Sequence, residues 1–530
     1  MIRTNIQLRG KFMSKKCLLA NLFLVLVMAL AACAPAAPAA NTNPSSAAAG
    51  TAAGTAAGDD AAAAADLPPV ELTYVYIGSL QRDQEAVNEA VNAYLKPKIN
   101  ATVKLQMLDW GAFTDKVNLM FASGEGCDVI WNAPWQAPTH QQLVSNGSLL
   151  ALDDLLPEYA PELWAQMPTD GWTATRIDGK IYGVPFQEIW VKPFGFVARQ
   201  DLADKYQFDA SAVTGYEDLE PLLAAIKEGE PGVTPIALTD GTPSSIFMAE
   251  TAGFDPIVTQ DVQAVVRYND PELKVFNAYE SDEFRAAVEL AYKWHQAGYL
   301  PQDLIPADVD AQSKAGKYAV HLGQVIKPGG DVDFKSRWGF DVYSKSLTTP
   351  FKTTAAIAAS QNSICAQSEN PERAAMFLNL LSTDPQLYNL LAYGIEGKHW
   401  VWEDEDLRLI AAGPDKDGYN PSSNWMFGNT SIAYYSDPAA AADKTAEQID
   451  KLNRESAASA ALGFTFDPEP VKTEMAQVSA VVKELGYPLI NGMTDPATKL
   501  PEFIAKLQEA GMDKIVTEAQ QQIDAWAQNK

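Results

Sequence analysis

Histidine and cysteine are scarce, with 4 of each in 530 residues. The histidines stand apart at positions 140, 295, 321 and 399, and none pairs with another at metal-ligand spacing. His295, beside Trp294, reads as a packed or surface residue. The H-E-x-x-H, G-x-S-x-G and P-loop signatures are missing, so no cofactor or metal is expected. Basic side chains are also in deficit, 40 Lys and Arg against 67 Asp and Glu, a net charge of -27. So acidic a chain repels nucleic acid and anionic lipid surfaces, which attract basic patches. The acid pairs Asp404/Asp406 and Asp415/Asp417 lack the spacing and distal Glu of a calcium loop and read as solvated loops. Carboxylates are plentiful enough to leave a tethered carbohydrate hydrolase or lyase formally open, because that chemistry needs only two well-placed acids. No pair stands out.

One marked apolar run, from Leu18 to Leu30, is too short to cross a bilayer comfortably as a permanent helix. Lys15 and Lys16 precede it and small Ala31 and Ala32 follow, which is the layout of an export signal. Met13 is an alternative start to Met1, since "MSKK" makes a tidier n-region than the residues before it. Leu30-Ala31-Ala32-Cys33 resembles the bacterial lipobox, which implies cleavage before Cys33 and acylation of that cysteine; an ordinary cut near Ala32 is the alternative. Loss of 1–32 would leave 35 basic against 67 acidic side chains, about -32. Cys17 would leave with the signal. Cys127 and Cys365 fit either two buried thiols or a disulfide of an exported protein.

From Ala34 to Leu67 the chain is almost wholly Ala, Gly, Pro, Ser, Thr, Asn and Asp. Such a segment buries too little apolar area to fold and should act as a flexible tether of roughly 30 Å r.m.s. reach. Beyond it, 47% hydrophobic residues and hundreds of positions support two cores. "VELTYVYIGS" alternates as a strand, Val87, Val91, Tyr94 and Leu95 recur at helical spacing, and "ATVKLQML" reads as a second strand. Phe113, Val117 and Met120 line another helix, Gly124 stops it, and "CDVIW" is a buried strand. Strand, helix, strand in this order builds a parallel sheet with covering helices. Asp178-Gly179 between short apolar runs predicts a two-residue hairpin. Asn370 and Asp384 read as N-caps with Pro371 and Pro385 behind them, and Gly394 as a helix stop. After about Pro438 the pattern is predominantly helical.

Tryptophan gathers near predicted strand ends and loops, where indole faces stack on the apolar faces of sugar rings and neighbouring polar groups bond hydroxyls. The candidates of this kind are Trp110, Trp131 beside Asn132 and Trp135, and Trp190 with Gln187 and Glu188 close by. Trp400 and Trp425 join them as later aromatics. Arg199, with Lys192 or Arg176, is a candidate for making a cleft locally basic. The core is the competing destination for every one of these rings.

The segments "LMFASGEGCDVIW", "NGSLLALDDLLPEYAPELW", "RIDGKIYGVPF", "FVARQDLADKY" and "NPERAAMFLNLLSTDPQLYNLLAYGIEGKHW" resemble, in order, family 1 extracellular solute-binding proteins of ABC importers. "YGIEGKHW" is similar to the lipoprotein subgroup linked to oligosaccharide uptake. The resemblance implies a two-lobed α/β fold of the periplasmic-binding-protein kind, type II-like, with a hinge and a helical C-terminal region. It implies no catalysis, but capture of an oligosaccharide, or else a peptide or other small solute, by hinge closure. It also implies a monomer anchored by lipid on the extracytoplasmic face, handing its ligand to ABC permease subunits. The expected segments are a signal at 1–32, lipidated Cys33 and linker at 33–69, one lobe at 70–194 plus 352–394, and the other at 195–351 plus 395–530. The first crossover is expected near Gly195.

Overall fold

The computed structural model of the protein describes residues 67–238, 246–259, 261–302, 308–421 and 424–529. The expected signal, Cys33 and most of the linker lie outside the described residues. Strand β1 (Val70–Ile77) runs parallel to β2 (Ala101–Leu108) along its whole length and to β3 (Val129–Asn132) on its other side. Helix Gln84–Ile99 joins β1 to β2 and buries Val87, Val91, Leu95 and Ile99, one residue per turn. Helix Phe113–Ser123 joins β2 to β3 and stops at Gly124, whose φ of 72° suits a residue without Cβ.

The sheet is completed by chain from far away: strand Gln361–Ile364 lies antiparallel to β3, and Val184–Pro185 lies beyond it. Cys127, just before β3, is disulfide-bonded to Cys365, just after its antiparallel neighbour, with the Cα atoms 5.8 Å apart. Of the two states open from sequence, the structure holds the disulfide.

A second sheet has the order Val342–Ser346, Phe194–Arg199, Tyr318–Val325, Thr234–Ala237. Its core centres on Phe196, Leu222, Trp294 and Leu322. A three-stranded sheet (Phe254–Pro256, Ala264–Arg267, Phe276–Asn277) and the C-terminal helices Lys472–Val481, Pro496–Glu509 and Met512–Ala527 share a further core containing Phe284, Phe503 and Ile515. Helix Asp282–Gln296 ties the two together, with Phe284 and Val288 in one core and Ala291 and Trp294 in the other.

Among the described residues, the chain passes between the first lobe and this second body in three places that lie side by side. Val191 bridges Lys352, Phe351–Lys352 pairs in parallel with Ala457–Ala458, and Ser459 N–H donates to Lys352 O at 2.8 Å. Lys352, only 5% exposed, is held there by Asp170 at 2.6 Å. Gly195 is already inside the second sheet, so the first crossing falls just before it.

One boundary differs from expectation. Within 395–530, assigned from sequence to the second lobe, Tyr419, Met426, Phe427 and Leu462 belong to the core of the first. Polar contacts draw this stretch there: Tyr419 Oη donates to Leu391 O at 2.8 Å and Asn389 Nδ2 to Ile432 O at 2.9 Å. Asp415, set aside as a calcium ligand, is ion-paired with Arg82.

Candidate functional site

Ligands of parallel α/β sheets gather beyond the carboxyl ends of the strands. The loops that follow β1, β2 and β3 carry Leu80, Trp110 and Trp135, which are 73%, 42% and 53% exposed. Such apolar exposure is unusual for side chains this large. The indoles of Trp110 and Trp135 lie near-parallel at 16°, with centroids 6.4 Å apart. Trp135 is fixed by donation from Nε1 to Ala359 O at 2.7 Å and by the edge of buried Trp131, 5.5 Å away. Half-buried Trp425 also meets Trp131 edge to face, with centroids 6.4 Å apart. The result is a rigid aromatic shelf, rooted in the core and open to solvent.

Beside Trp135 lies a cavity of about 970 Å³ between the first lobe and the second body. Pro134, Thr139, His140, Thr175 and Gln361 line it on one side; Asp255, Pro256, Phe464 and Phe466 face them. This volume is at the upper end of the range for small-molecule sites. A smaller recess of about 160 Å³ shares Pro256 and Thr259 with it and reaches Lys192 and Thr353 at the crossing strands.

The polar groups here are mostly neutral or poised between charge states. Burial pushes the Asp255 carboxyl up to about 7, with a hydrogen bond from Ser459 opposing the rise and Glu250 adding to it. Glu188, beside the hinge, also rises to about 7 through burial, against the pull of Lys192 and Lys327. Burial takes the His140 imidazole down to about 4, so it is uncharged at neutral pH.

None of the nine ligand candidates from sequence lines the larger cavity. The fold brings Trp110, Trp131, Trp135 and Trp425 together, and the cavity wall includes Pro134 and Ala137 next to Trp135 in the chain; Trp131 has no exposed surface and serves as the shelf's support. Trp190 is 2% exposed and its indole donates to Phe186 O at 2.7 Å, which makes it core. Trp400 is 7% exposed, donates to Gly394 O at 2.9 Å and packs on Trp402 and Tyr434. Arg199 is bound to Asp201 at 2.6 Å at the end of its strand in the second sheet. Gln187 is tied through its backbone to Gly428 and Thr430, and Glu188 O accepts from Asn453, so both hold the hinge region in place. Two residues outside the sequence candidates, His140 and Gln361, do line the cavity; polar residues in the short apolar-flanked strand "QNSI" are a local sign of Gln361, and His140 has none.

Two lobes joined by three adjacent strands, with a ligand-sized cleft between them, define a binding protein of the hinge-closing class. The profile of the bacterial extracellular solute-binding proteins matches residues 89–394, and the chain belongs to that family. A domain of unknown function matches 460–528. A carbohydrate ABC transporter substrate-binding protein of Streptococcus pneumoniae is 28% identical over 478 residues, 89% of this chain and 93% of that protein. The crystal structure of the N-glycan transport solute-binding protein NgtS from the same organism superposes with a TM-score of 0.77 at 27% identity, covering 87% of this chain and all of the other. NgtS in complex with Man5GlcNAc gives 0.65 at 26% identity, covering 87% of this chain and 99% of that one.

Proposed function

We propose that the protein is an extracytoplasmic receptor of an ABC importer that captures a neutral oligosaccharide between its lobes and releases it unchanged to the permease. The observation that carries this reading is the solvent-exposed Trp110–Trp135 shelf beside the interlobe cavity. Flat, rigid indoles offer large contact area at small entropic cost, which suits the C–H faces of pyranose rings. The carbohydrate ligands named for NgtS support the same class. The acidic surface favours neutral ligands over polyanions.

Isothermal calorimetry with a panel of neutral glycans, including mannose- and N-acetylglucosamine-containing oligomers, should show binding and intact recovery of the ligand. Binding of peptides with no response to any sugar would refute the ligand class, and cleavage on prolonged incubation would move the protein among the hydrolases.

The receptor is tethered, in this reading, through an acylated Cys33 and the Ala/Gly-rich linker to the outer face of the membrane. In cells, Cys33→Ala should shift the protein from the membrane fraction to the soluble one while leaving glycan affinity unchanged. Full retention in the membrane fraction would rule out the lipid at this position.

A further inference from the structure

We infer that His140 and Gln361 form a hydroxyl-reading subsite in the first-lobe wall of the cleft. Both groups are buried in this structure, the Gln361 carboxamide lying over Gly183; when the wall opens around a ligand, a saccharide hydroxyl would donate to His140 Nε2 and a second polar group of the same ligand would pair with the Gln361 carboxamide. This inference rests on the reading of the cavity as a glycan cleft.

The state of His140 follows from its neighbours. Asn132 Nδ2 donates to Ser363 Oγ at 2.9 Å and to Ile130 O at 3.3 Å, which leaves Asn132 Oδ1 directed at His140 Nδ1, 2.7 Å away. An amide oxygen only accepts, so Nδ1 carries the proton and Nε2 presents a lone pair. That Nε2 is buried and has no partner among the described residues. Gln361 stands directly opposite Asn132 in the antiparallel register, so their side chains share one face of the sheet. It is fully buried, and neither Nε2 nor Oε1 of its carboxamide has a partner among the described residues.

Buried polar groups without partners lower stability and are kept sparingly. Several occur among the described residues, but only these two also line the cavity. Together they offer an acceptor that cannot donate and a group that does both. Hydroxyl groups, which donate once and accept twice, match that pattern. A carboxylate could not donate to Nε2 and would face Asp255 across the cleft.

The decisive variant is Gln361→Leu, which keeps the approximate shape and removes the carboxamide. Its ligand-free melting temperature should stay level or rise by roughly 1–2 °C. Its affinity for the tightest-binding neutral oligosaccharide of the panel should fall roughly tenfold. In parallel, ¹⁵N spectra of the wild-type protein should show His140 protonated at Nδ1, with the Nε2 resonance moving upfield when that sugar is added. Unchanged affinity in Gln361→Leu, a joint loss of stability and affinity, or a His140 protonated at Nε2 would overturn the subsite while leaving the receptor reading intact. Failure of the wild-type protein to bind any sugar would overturn both.

Discussion

Trp135→Ala should weaken glycan binding by roughly 30-fold while leaving the melting temperature within about 2 °C of wild type. The exposed face of this indole is supported from behind by Trp131 and steered by one hydrogen bond to Ala359 O. A pyranose covering that face would remove on the order of 80 Å² of apolar surface from water, worth about 2 kcal/mol. Such a value is typical of an aromatic anchor at the centre of a binding site. It corresponds to the 30-fold figure at 1.4 kcal/mol per decade. Stability changes little because the ring is already half in solvent. Trp135→Phe should recover most of the affinity, since a flat apolar face remains. Calorimetry on the two variants with the same oligosaccharide checks the claim; full affinity in Trp135→Ala would place the ligand away from the shelf.

Loss of the Cys127–Cys365 disulfide should have the largest effect on stability. The bridge closes a loop of 238 residues, for which the chain-entropy model gives roughly 5 kcal/mol. A body of this size that unfolds as one unit would lose about 5 °C, and a first lobe that unfolds alone about twice as much. Thermal unfolding of the Cys127→Ser/Cys365→Ser variant should show that drop, and a reductant should produce it in wild type but not in the variant. Equal melting temperatures for the oxidised wild type and the variant would show that the neighbouring strands hold register unaided.

Much of the first lobe was legible because its signals are local. Alternation in "VELTYVYI", helical spacing after it and buried strands place β1, β2 and β3, and the hairpin at Asp178-Gly179 has the positive φ values, 49° and 78°, that its residues suggest. Asp384 caps its helix with bonds to the N–H groups of Gln386 and Leu387. The lobe to which 395–435 belongs was not legible, since Tyr419 and Phe427 are apolar in a way that fits either core.

The site was harder to read for a related reason. Trp131 and Trp135 are four residues apart, yet one is core and the other half exposed, because the strand ends at Asn132 and the loop turns outward after it. Aromatic content marked the neighbourhood without ranking its members. His140 and Gln361 meet the same cavity only because Gln361 pairs with Asn132, and register between distant strands leaves no trace in a single sequence.

The three adjacent crossings, gathered at Lys352, have a mechanical consequence. A single connecting strand would let the lobes twist, slide and swing; three side by side would act like the spine of a book, compliant in bending and stiff in torsion and shear. The covers then have one axis along which to close. In the proposed receptor, closure about one axis would bring the outer faces to nearly the same relative position around different ligands, and a permease would then read shut from open by geometry alone, without touching the cargo.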